Sequence, residues 1–293
     1  MKIGFDVSTA GATKTGCGYF THSLLHALAE TDSQNEYFLY PTFGDHYWDP
    51  DWAKTILKIS RPNFRHGLGH RTHAALQTFW RDPPSDAKKQ LGNPDVIHSN
   101  NFFCLSSSKT APIVYTLYDL SFIEYPDHTL EETRVAAFRG VFNASVQAQK
   151  IIAISEYTRR HFLDTFPHYP ADQINVVYPA SRFSSHSEQC EVKTSLRGAF
   201  FATKQSQTQP LEVSLRRSNL KPDSFWLSVG TLEPRKNHER LLKAYALLKA
   251  ETQETLPLVL AGVRGWLMKN FERQIADLGL QNDVVLLVYV DDT

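Results

Sequence analysis

Short apolar runs alternate with helical patterns along most of the chain. The runs predict buried strands at 2–7, 37–40, 56–59, 95–99, 113–117, 151–154, 174–178, 225–230, 256–261 and 284–290. Apolar positions three and four residues apart predict helices around 20–28, at 72–81 and 130–149, after Ser155, and at 238–250 and 267–278. Because strands that alternate with helices form parallel sheets, the pattern predicts an α/β fold built from Rossmann-like domains.

One polar stretch divides this alternation in two. Residues 184–221 are rich in Ser, Thr and Gln, which is typical of a linker. We therefore predict an N-terminal Rossmann-like domain over 1–183 and a C-terminal one over 222–293, facing each other across a cleft. Since the second domain has only three strand–helix units, too few to cover both faces of a doubly wound sheet, we expect it to be incomplete and the chain to be truncated.

Composition and charge exclude several classes of protein. The 293 residues are 42% hydrophobic and 12% aromatic, which is enough for substantial cores. Lys and Arg total 31, as do Asp and Glu, so no overall positive field attracts nucleic acid. The three cysteines, at Cys17, Cys104 and Cys190, are spaced too widely for a disulfide framework or a paired metal-ligand motif.

The first residues and the apolar runs indicate where the protein works. The chain opens with the strand at 2–7 and not with a signal peptide. No apolar run approaches the roughly 20 residues of a membrane-spanning helix. We expect a cytoplasmic protein in a reducing compartment, and peripheral attachment to the inner face of the cytoplasmic membrane stays open.

The stretch 225–249 has the features of an anion site. An apolar strand ends at Gly230, a turn with Arg235 and Lys236 follows, and Asn237 is a candidate N-cap for the next helix. Amides and the dipole at a helix N-terminus favour an anion, while Arg offers a bidentate fork for phosphate and Lys a point charge. The sequence predicts a phosphate or diphosphate site, with two solvated loop charges as the simpler alternative.

The same stretch carries a family resemblance. The segments GTLEPRKNHERLLKAY at 230–245 and LVLAGVRGW at 258–266 resemble the donor domain of the retaining family-four glycosyltransferases, which have the GT-B fold. The resemblance implies that Arg235 and Lys236 bind the diphosphate of a nucleotide sugar and act in catalysis by stabilising charge on the leaving phosphate. It further implies donor-binding positions at Gly230, Thr231, Asn237 and Gly262.

The resemblance also implies an activity. It predicts transfer of a hexose from a nucleotide diphosphate sugar to a saccharide or lipid-linked acceptor, with retention, in bacterial polysaccharide biosynthesis. Mannose from GDP-mannose is the preferred donor, and glucose and N-acetylglucosamine donors are its competitors. The family works without a bound divalent ion, so no metal and no other cofactor is expected.

The loop after the first strand carries two glycines of interest, Gly16 and Gly18. A P-loop is excluded because Cys17 and Gly18 stand where Lys and Ser or Thr are needed, and a dinucleotide fingerprint is excluded because Thr21 takes the third glycine position. The loop resembles the glycine-rich loop of the same glycosyltransferase family, which lies near donor and acceptor. A tight turn without a ligand explains the two glycines equally well.

Polar residues follow the strands at 95–99 and 113–117, where open parallel sheets bind ligands. YTLYDLSFIEYPD resembles a family segment in which a His–Asp–Leu triplet is common, but Tyr118 stands in place of the His. Because a phenol does not exchange a proton near neutral pH, we predict that Tyr118 positions a substrate. Asp119 is either catalytic or holds the turn.

Two further groups of polar residues favour structural interpretations. His66, His70 and His73 have near-helical spacing, but Gly67 and Gly69 interrupt the helix, so surface histidines are preferred to a metal site. Arg159 is predicted to cover the surface of its helix.

Two other functions remain as alternatives. A truncated fragment that binds nucleotide or a partner without turnover would keep the same motifs. A sugar-nucleotide epimerase or dehydrogenase would need a Tyr-x-x-x-Lys motif, and the position four residues after Tyr118 is Phe122.

Overall fold

A computed structural model of the chain describes residues 1–12, 14–45, 48–49, 51–69, 71–105, 110–180, 224–252, 256–265 and 270–287. Two compact units divide the chain, Met1–Ser184 (unit 1) and Ser185–Thr293 (unit 2). The predicted linker at 184–221 lies outside the described residues. Among the helices of these ranges, none is long and apolar enough to cross a membrane.

Unit 1 alternates strands and helices, as predicted. Its elements are β1 (Lys2–Asp6), α1 (Gly16–Thr31), β2 (Glu36–Tyr40), α2 (Trp52–Thr55), β3 (Phe64–His66), α3 (His73–Arg81), α4 (Ala87–Gln90), β4 (Val96–Ser99), β5 (Ile113–Leu117), α5 (Ser121–Glu124), α6 (Glu131–Gln147), β6 (Lys150–Ala153), α7 (Glu156–Thr165) and β7 (Ile174–Val176). The predicted N-cap Ser155 accepts a hydrogen bond from the amide of Thr158 at 3.0 Å.

The strands of unit 1 form one parallel sheet in the order β3-β2-β1-β4-β5-β6-β7. β1 lies inside the sheet, where Phe5 is in register with Leu39 of β2 and His98 of β4. Because every pair is parallel, the segments that follow the strands meet at one edge of the sheet. The predicted α/β class is confirmed in this unit.

Both faces of the sheet are buried. Leu25 of α1 packs against Phe5 and Leu39 on one side, and a larger core includes Val141 of α6 and Phe162 of α7. This double burial explains why the strands have nearly continuous apolar runs instead of strict alternation.

The predicted strand at 56–59 is wrong. Asp51 caps the short helix α2 by accepting a hydrogen bond from the Ala53 amide. Ile56 after the helix is extended, but residues 56–59 have no ladder partner among the described residues. Leu57 is nevertheless buried in the cluster with Phe5. The edge of β2 is taken by Phe64–His66 instead, so the apolar run reports burial and not strand pairing.

Unit 2 contains a smaller parallel sheet in the order β10-β9-β8. Its elements are β8 (Trp226–Val229), α8 (His238–Glu251), β9 (Leu258–Ala261), α9 (Phe271–Asp277) and β10 (Val284–Leu287). Leu242 of α8 and Leu260 of β9 are fully buried at the centre of its core. Two parts of the predicted elements lie outside the described residues: the start of the predicted helix, 267–269, and the end of the predicted last strand, 288–290.

Candidate functional site

The turn after β8 brings together most of the predicted donor-binding positions. β8 ends next to Gly230, whose amide donates to the Ala261 carbonyl at 2.9 Å. Residues Pro234–Lys236 then form a single 3-10 turn, in which the Lys236 amide donates to the Glu233 carbonyl at 3.0 Å. The two predicted cations therefore lie in a hydrogen-bonded turn and not in an irregular loop.

The side chain of Arg235 is held by a carboxylate that the sequence analysis did not single out. Nε and Nη2 of Arg235 donate to the same oxygen, Oε1 of Glu233, at 3.0 and 2.7 Å. Glu233 is 2% exposed, whereas 40% of the Arg235 side chain is exposed. One edge of the guanidinium is thus fixed against the protein while part of the group stays open to solvent.

Lys236 lies alongside Gly230. A Cβ atom added to Gly230 would lie 3.6 Å from Cε of Lys236, so the aliphatic part of the lysine passes over the glycine. Gly230 has a φ of +150°, which side-chain-bearing residues rarely adopt. Directly after β8, the backbone at Gly230 is therefore not covered by a side chain of its own, and Lys236 lies beside it.

Gly262 makes a second close approach at the same edge of the sheet. It has a φ of +156°, and a Cβ atom there would lie 2.0 Å from the Gly230 carbonyl oxygen. Thr231 follows Gly230, and the next residue, Leu232, donates its amide to the Val263 carbonyl at 2.9 Å. The structure thus brings Gly230, Thr231 and Gly262 together with the two cations.

Asn237 does not cap α8 as predicted. It occupies the N-cap position, but its φ of 54° and ψ of 40° are left-handed and its side chain makes no capping hydrogen bond. Its amide instead closes the preceding turn on the Pro234 carbonyl at 2.9 Å. Asn tolerates left-handed backbone better than most residues, so this position redirects the chain from the turn into the helix.

The two glycines of unit 1 have different surroundings. A Cβ atom on Gly18 would lie 2.0 Å from the Thr9 carbonyl oxygen, whereas one on Gly16 would meet nothing within 4 Å. Close packing of α1 against the loop therefore explains Gly18 without a ligand. Gly16 is the first residue of α1, and Thr15 before it makes no side-chain cap.

The same loop lines a cavity of about 270 Å³. Its lining residues are Ser8, Thr9, Gly11, Thr15, Asp49, Lys54 and Thr55. Lys54 and Asp49 were not singled out from the sequence because they reach this loop through tertiary structure: the Ala12 amide donates to the Lys54 carbonyl at 2.7 Å.

A buried polar network joins the carboxyl ends of β1, β4 and β5. Asp6 accepts hydrogen bonds from the Ser8 hydroxyl at 2.6 Å and the Asn100 amide at 3.0 Å. Burial raises the pKa of Asp6 to about 6. Asp6 was not predicted as a site residue, although an acid at the end of an apolar strand is a signal that the sequence contains.

Tyr118 belongs to this network. It is 8% exposed, and its hydroxyl donates to the Asn100 carbonyl at 3.0 Å. Burial raises the pKa of its phenol above the ordinary value, so the group keeps its proton near neutral pH. The structure thus places Tyr118 among core residues, with its hydroxyl bonded to the segment that follows β4.

Asp119 and Arg159 both make local contacts. Oδ1 of Asp119 accepts from the amide and the hydroxyl of Ser121, at 3.0 and 2.7 Å, which fixes the turn into α5. Arg159 donates to the Ile174 and Ala171 carbonyls at 3.4 and 3.3 Å, tying α7 to the segment that contains β7. These contacts support the turn-holding alternative for Asp119.

His66 and His73, which were predicted to be surface histidines, are both exposed in the structure. His66 ends β3, His73 begins α3, and His70 lies outside the described residues. Within the described ranges, no three His, Cys, Asp or Glu side chains are placed to share a metal ion.

Comparison with known proteins gives a family for the chain. The Glycosyltransferase Family 4 model matches residues 16–180, and the Glycosyl transferases group 1 model matches residues 214–293. O-antigen chain mannosyltransferase B of Escherichia coli is 31% identical over 172 residues, which are 58% of this chain and 39% of that protein. The serotype-specific mannosyltransferase WbdA of Escherichia coli is 52% identical over 48 residues, 16% of this chain and 6% of that protein. The matched region thus spans well under half of each of these relatives.

Solved structures share the fold. The Anabaena protein HepE in complex with UDP-glucose has a TM-score of 0.61 and 19% identity, and the alignment covers 100% of this chain and 70% of that one. WaaG, a glycosyltransferase involved in lipopolysaccharide biosynthesis, has a TM-score of 0.56 and 14% identity, over 99% of this chain and 70% of the other. The predicted α/β architecture of the GT-B type is confirmed. The Glycosyltransferase Family 4 model alone matches more than half of the residues of this chain. The chain therefore belongs to Glycosyltransferase Family 4.

Proposed function

We propose that this chain is a retaining hexosyltransferase that moves mannose from GDP-mannose to a saccharide or lipid-linked acceptor in polysaccharide biosynthesis. The observation that carries the proposal is the turn after β8, at the carboxyl end of a parallel strand, which contains both Arg235 and Lys236 and in which Lys236 lies beside Gly230. Mannose is chosen because both Escherichia coli relatives are named mannosyltransferases. The complex of HepE with UDP-glucose supports a nucleotide diphosphate sugar as donor.

The turn has the chemistry that such a reaction needs. When the bond between the anomeric carbon and the phosphate oxygen breaks, negative charge develops on the departing nucleoside diphosphate. Cations that are fixed before the reaction stabilise this charge without reorganisation. Glu233 restrains the Arg235 guanidinium at one edge, and the Lys236 chain is positioned over Gly230. We assign both cations to the diphosphate and no step to a metal ion.

Residues of unit 1 have a supporting part in this proposal. Tyr118 bonds the segment after β5 to the segment after β4, and Asp119 fixes the turn that follows. Both segments leave the sheet at its carboxyl edge, where ligands bind in open parallel sheets. We assign Tyr118 and Asp119 to shaping this edge and not to proton transfer.

Calorimetric titration with GDP-mannose, UDP-glucose and GDP tests the proposal. Arg235→Ala and Lys236→Ala should each weaken binding of GDP-mannose about tenfold or more, because each removes a charge-assisted contact to phosphate. Arg273→Ala and Lys243→Ala are matched controls, since both change exposed cations on the helices of unit 2. Failure of the wild-type chain to bind any of the three nucleotides would refute the donor site. Binding without transfer would instead indicate a non-catalytic nucleotide-binding protein.

A further inference from the structure

Two exposed tyrosines follow neighbouring strands of the unit 1 sheet. Tyr125 comes after β5 and α5, and Tyr157 lies in the first turn of α7 after β6. β5 and β6 are paired in parallel, with Leu117 in register with Ala153, so both tyrosines follow the same edge of the sheet. Tyr125 is 49% exposed and Tyr157 is 57% exposed. Tyr37, Tyr40 and Tyr115 are buried by contrast.

One carboxylate, that of Glu124, influences both phenols. The Tyr157 hydroxyl donates to Oε2 of Glu124 at 3.1 Å. Hydrogen bonding to Glu124 raises the pKa of Tyr157 and of Tyr125 above the ordinary value for a phenol. The bond to Glu124 restrains the Tyr157 ring although that ring is at the surface.

Two imidazoles contact the same rings, one face to face and one edge on. His128 stacks on Tyr125, with centroids 5.6 Å apart and an angle of 13° between the planes. His161 meets Tyr157 at a centroid distance of 5.8 Å and an angle of 64°. Each tyrosine thus contacts one histidine, and Tyr157 is also bonded to Glu124, yet about half of each tyrosine remains accessible. Rings that are fixed before binding lose little conformational entropy when a ligand stacks on them.

We propose that Tyr125 and Tyr157, together with Glu124, form a saccharide-binding platform. The negative faces of the two rings attract the polarised C–H groups on the apolar face of a pyranose. The Glu124 carboxylate and the imidazoles of His128 and His161 accept and donate hydrogen bonds to sugar hydroxyls. As a site for the acceptor sugar, the platform rests on the proposed glycosyltransferase function.

The charges around the platform favour an uncharged sugar over a membrane surface. Glu124, Asp127 and Glu156 are all exposed and lie close in sequence to one or other tyrosine. The positive charge of Arg160 opposes the effect of Glu124 on the pKa of Tyr157. Anionic lipid headgroups would repel these carboxylates. The neutral hydroxyls of a sugar, by contrast, can donate hydrogen bonds to the carboxylates.

The experiment measures binding of α-methyl mannoside and of mannobiose to the 293-residue chain by saturation-transfer NMR and by titration. Tyr125→Ala and Tyr157→Ala should each weaken binding about tenfold, because each removes one stacking face. Tyr157→Phe keeps the ring and loses only the bond to Glu124, so its affinity should fall less. Phe138→Ala on α6 is the matched control, since this ring is also 45% exposed, and it should bind like the wild type.

The outcomes separate this proposal from the proposed function. Equal affinity of all variants for both sugars, or no affinity of the wild type for either, would overturn the platform. So would adsorption to phosphatidylglycerol vesicles that is lost with the tyrosines while sugar binding is unchanged. If sugar binding depends on the tyrosines but GDP-mannose is not bound, the platform stands and the transferase proposal fails.

Discussion

Glu233 and Arg235 form an ion pair in which the carboxylate is almost wholly buried and the guanidinium is partly exposed, with 2.7 Å between Oε1 and Nη2. A buried carboxylate without a partner is costly, so the pair fixes Arg235 relative to the backbone of the turn. The anion that the turn is proposed to bind would meet a guanidinium whose orientation is already set. We therefore expect Glu233 to favour binding of this anion, although the acid has the same sign of charge as the ligand.

This pair predicts different effects for two substitutions of Glu233. Glu233→Gln keeps an acceptor for Arg235, so we expect affinity for GDP-mannose within about threefold of the wild type. Glu233→Ala removes the acceptor, and the lost orientation should weaken binding about tenfold. Calorimetry on both variants measures the difference. Equal affinities for the two variants would show that orientation by Glu233 is unimportant.

Arg235→Ala should cost about 2–4 kcal/mol of transition-state stabilisation, measured as the loss in kcat/KM for mannose transfer. Part of any loss of stability in this variant will come from the unpaired Glu233, so the unfolding free energy is measured in parallel. Arg273→Ala, which changes a 78% exposed arginine on α9, is the control and should keep its activity. Unchanged turnover of Arg235→Ala would remove the diphosphate assignment.

Tyr118→Phe should affect stability more clearly than chemistry. The change removes the hydrogen bond to the buried Asn100 carbonyl, which should lower the unfolding free energy by about 1–2 kcal/mol. Activity should fall less than in Arg235→Ala, because Tyr118 is assigned to positioning. A loss of kcat as deep as that of Arg235→Ala would instead make the hydroxyl essential for the reaction.

Asp6 and His98 predict opposite pH dependences of stability. Burial raises the pKa of Asp6 from 3.8 to about 6, so the folded protein binds the extra proton and Asp6 lowers stability as pH rises from about 4 to 6. Burial lowers the pKa of His98 from 6.5 to about 4, so the unfolded chain binds the extra proton and His98 raises stability over a similar range. The two effects oppose each other in the wild type.

Asp6→Asn should leave the effect of His98 unopposed. Its unfolding free energy, from urea titrations at pH 4.5 and 6.5, should therefore rise more steeply with pH than that of the wild type. The asparagine keeps an oxygen to accept from Ser8 and Asn100. An identical pH dependence in both proteins would contradict the raised pKa of Asp6.

Transfer should not depend on a divalent metal ion, since the proposal assigns the charge of the leaving diphosphate to Arg235 and Lys236. Activity after removal of metals with EDTA should equal that of the untreated protein. Addition of Mg²⁺ or Mn²⁺ to the treated protein is the control. A loss on chelation that these ions restore would show that the two cations do not suffice.

Local patterns predicted most strands of both units, because buried parallel strands have apolar runs that need no partner information to be recognised. The run at 56–59 misled for the same reason: Leu57 is buried in the core, but the ladder position beside β2 went to Phe64–His66. Burial is visible in a sequence, whereas competition between two segments for one strand edge is decided by the tertiary fold.

In the candidate site, too, features with a local sequence pattern were predicted and features that depend on tertiary structure were not. Arg235 and Lys236 were predicted because a charged turn between a strand and a helix has a local signature. The partner of Arg235 was not, because an exposed glutamate and a buried one look alike in sequence. Asn237 has the residue type of a helix cap, but closure of the preceding turn fixed its backbone in a left-handed conformation that a capping residue does not adopt.

The strand order of unit 1 has a consequence for synthesis on the ribosome. β1, β2 and β3 pair successively towards one edge of the sheet, and β4 to β7 then pair successively from β1 towards the other. Each strand that leaves the exit tunnel therefore finds a neighbour that is already present, and no earlier pairing has to open to admit it. Unit 1 can thus complete its sheet while unit 2 is still being translated, which limits the time its apolar strands are exposed to aggregation.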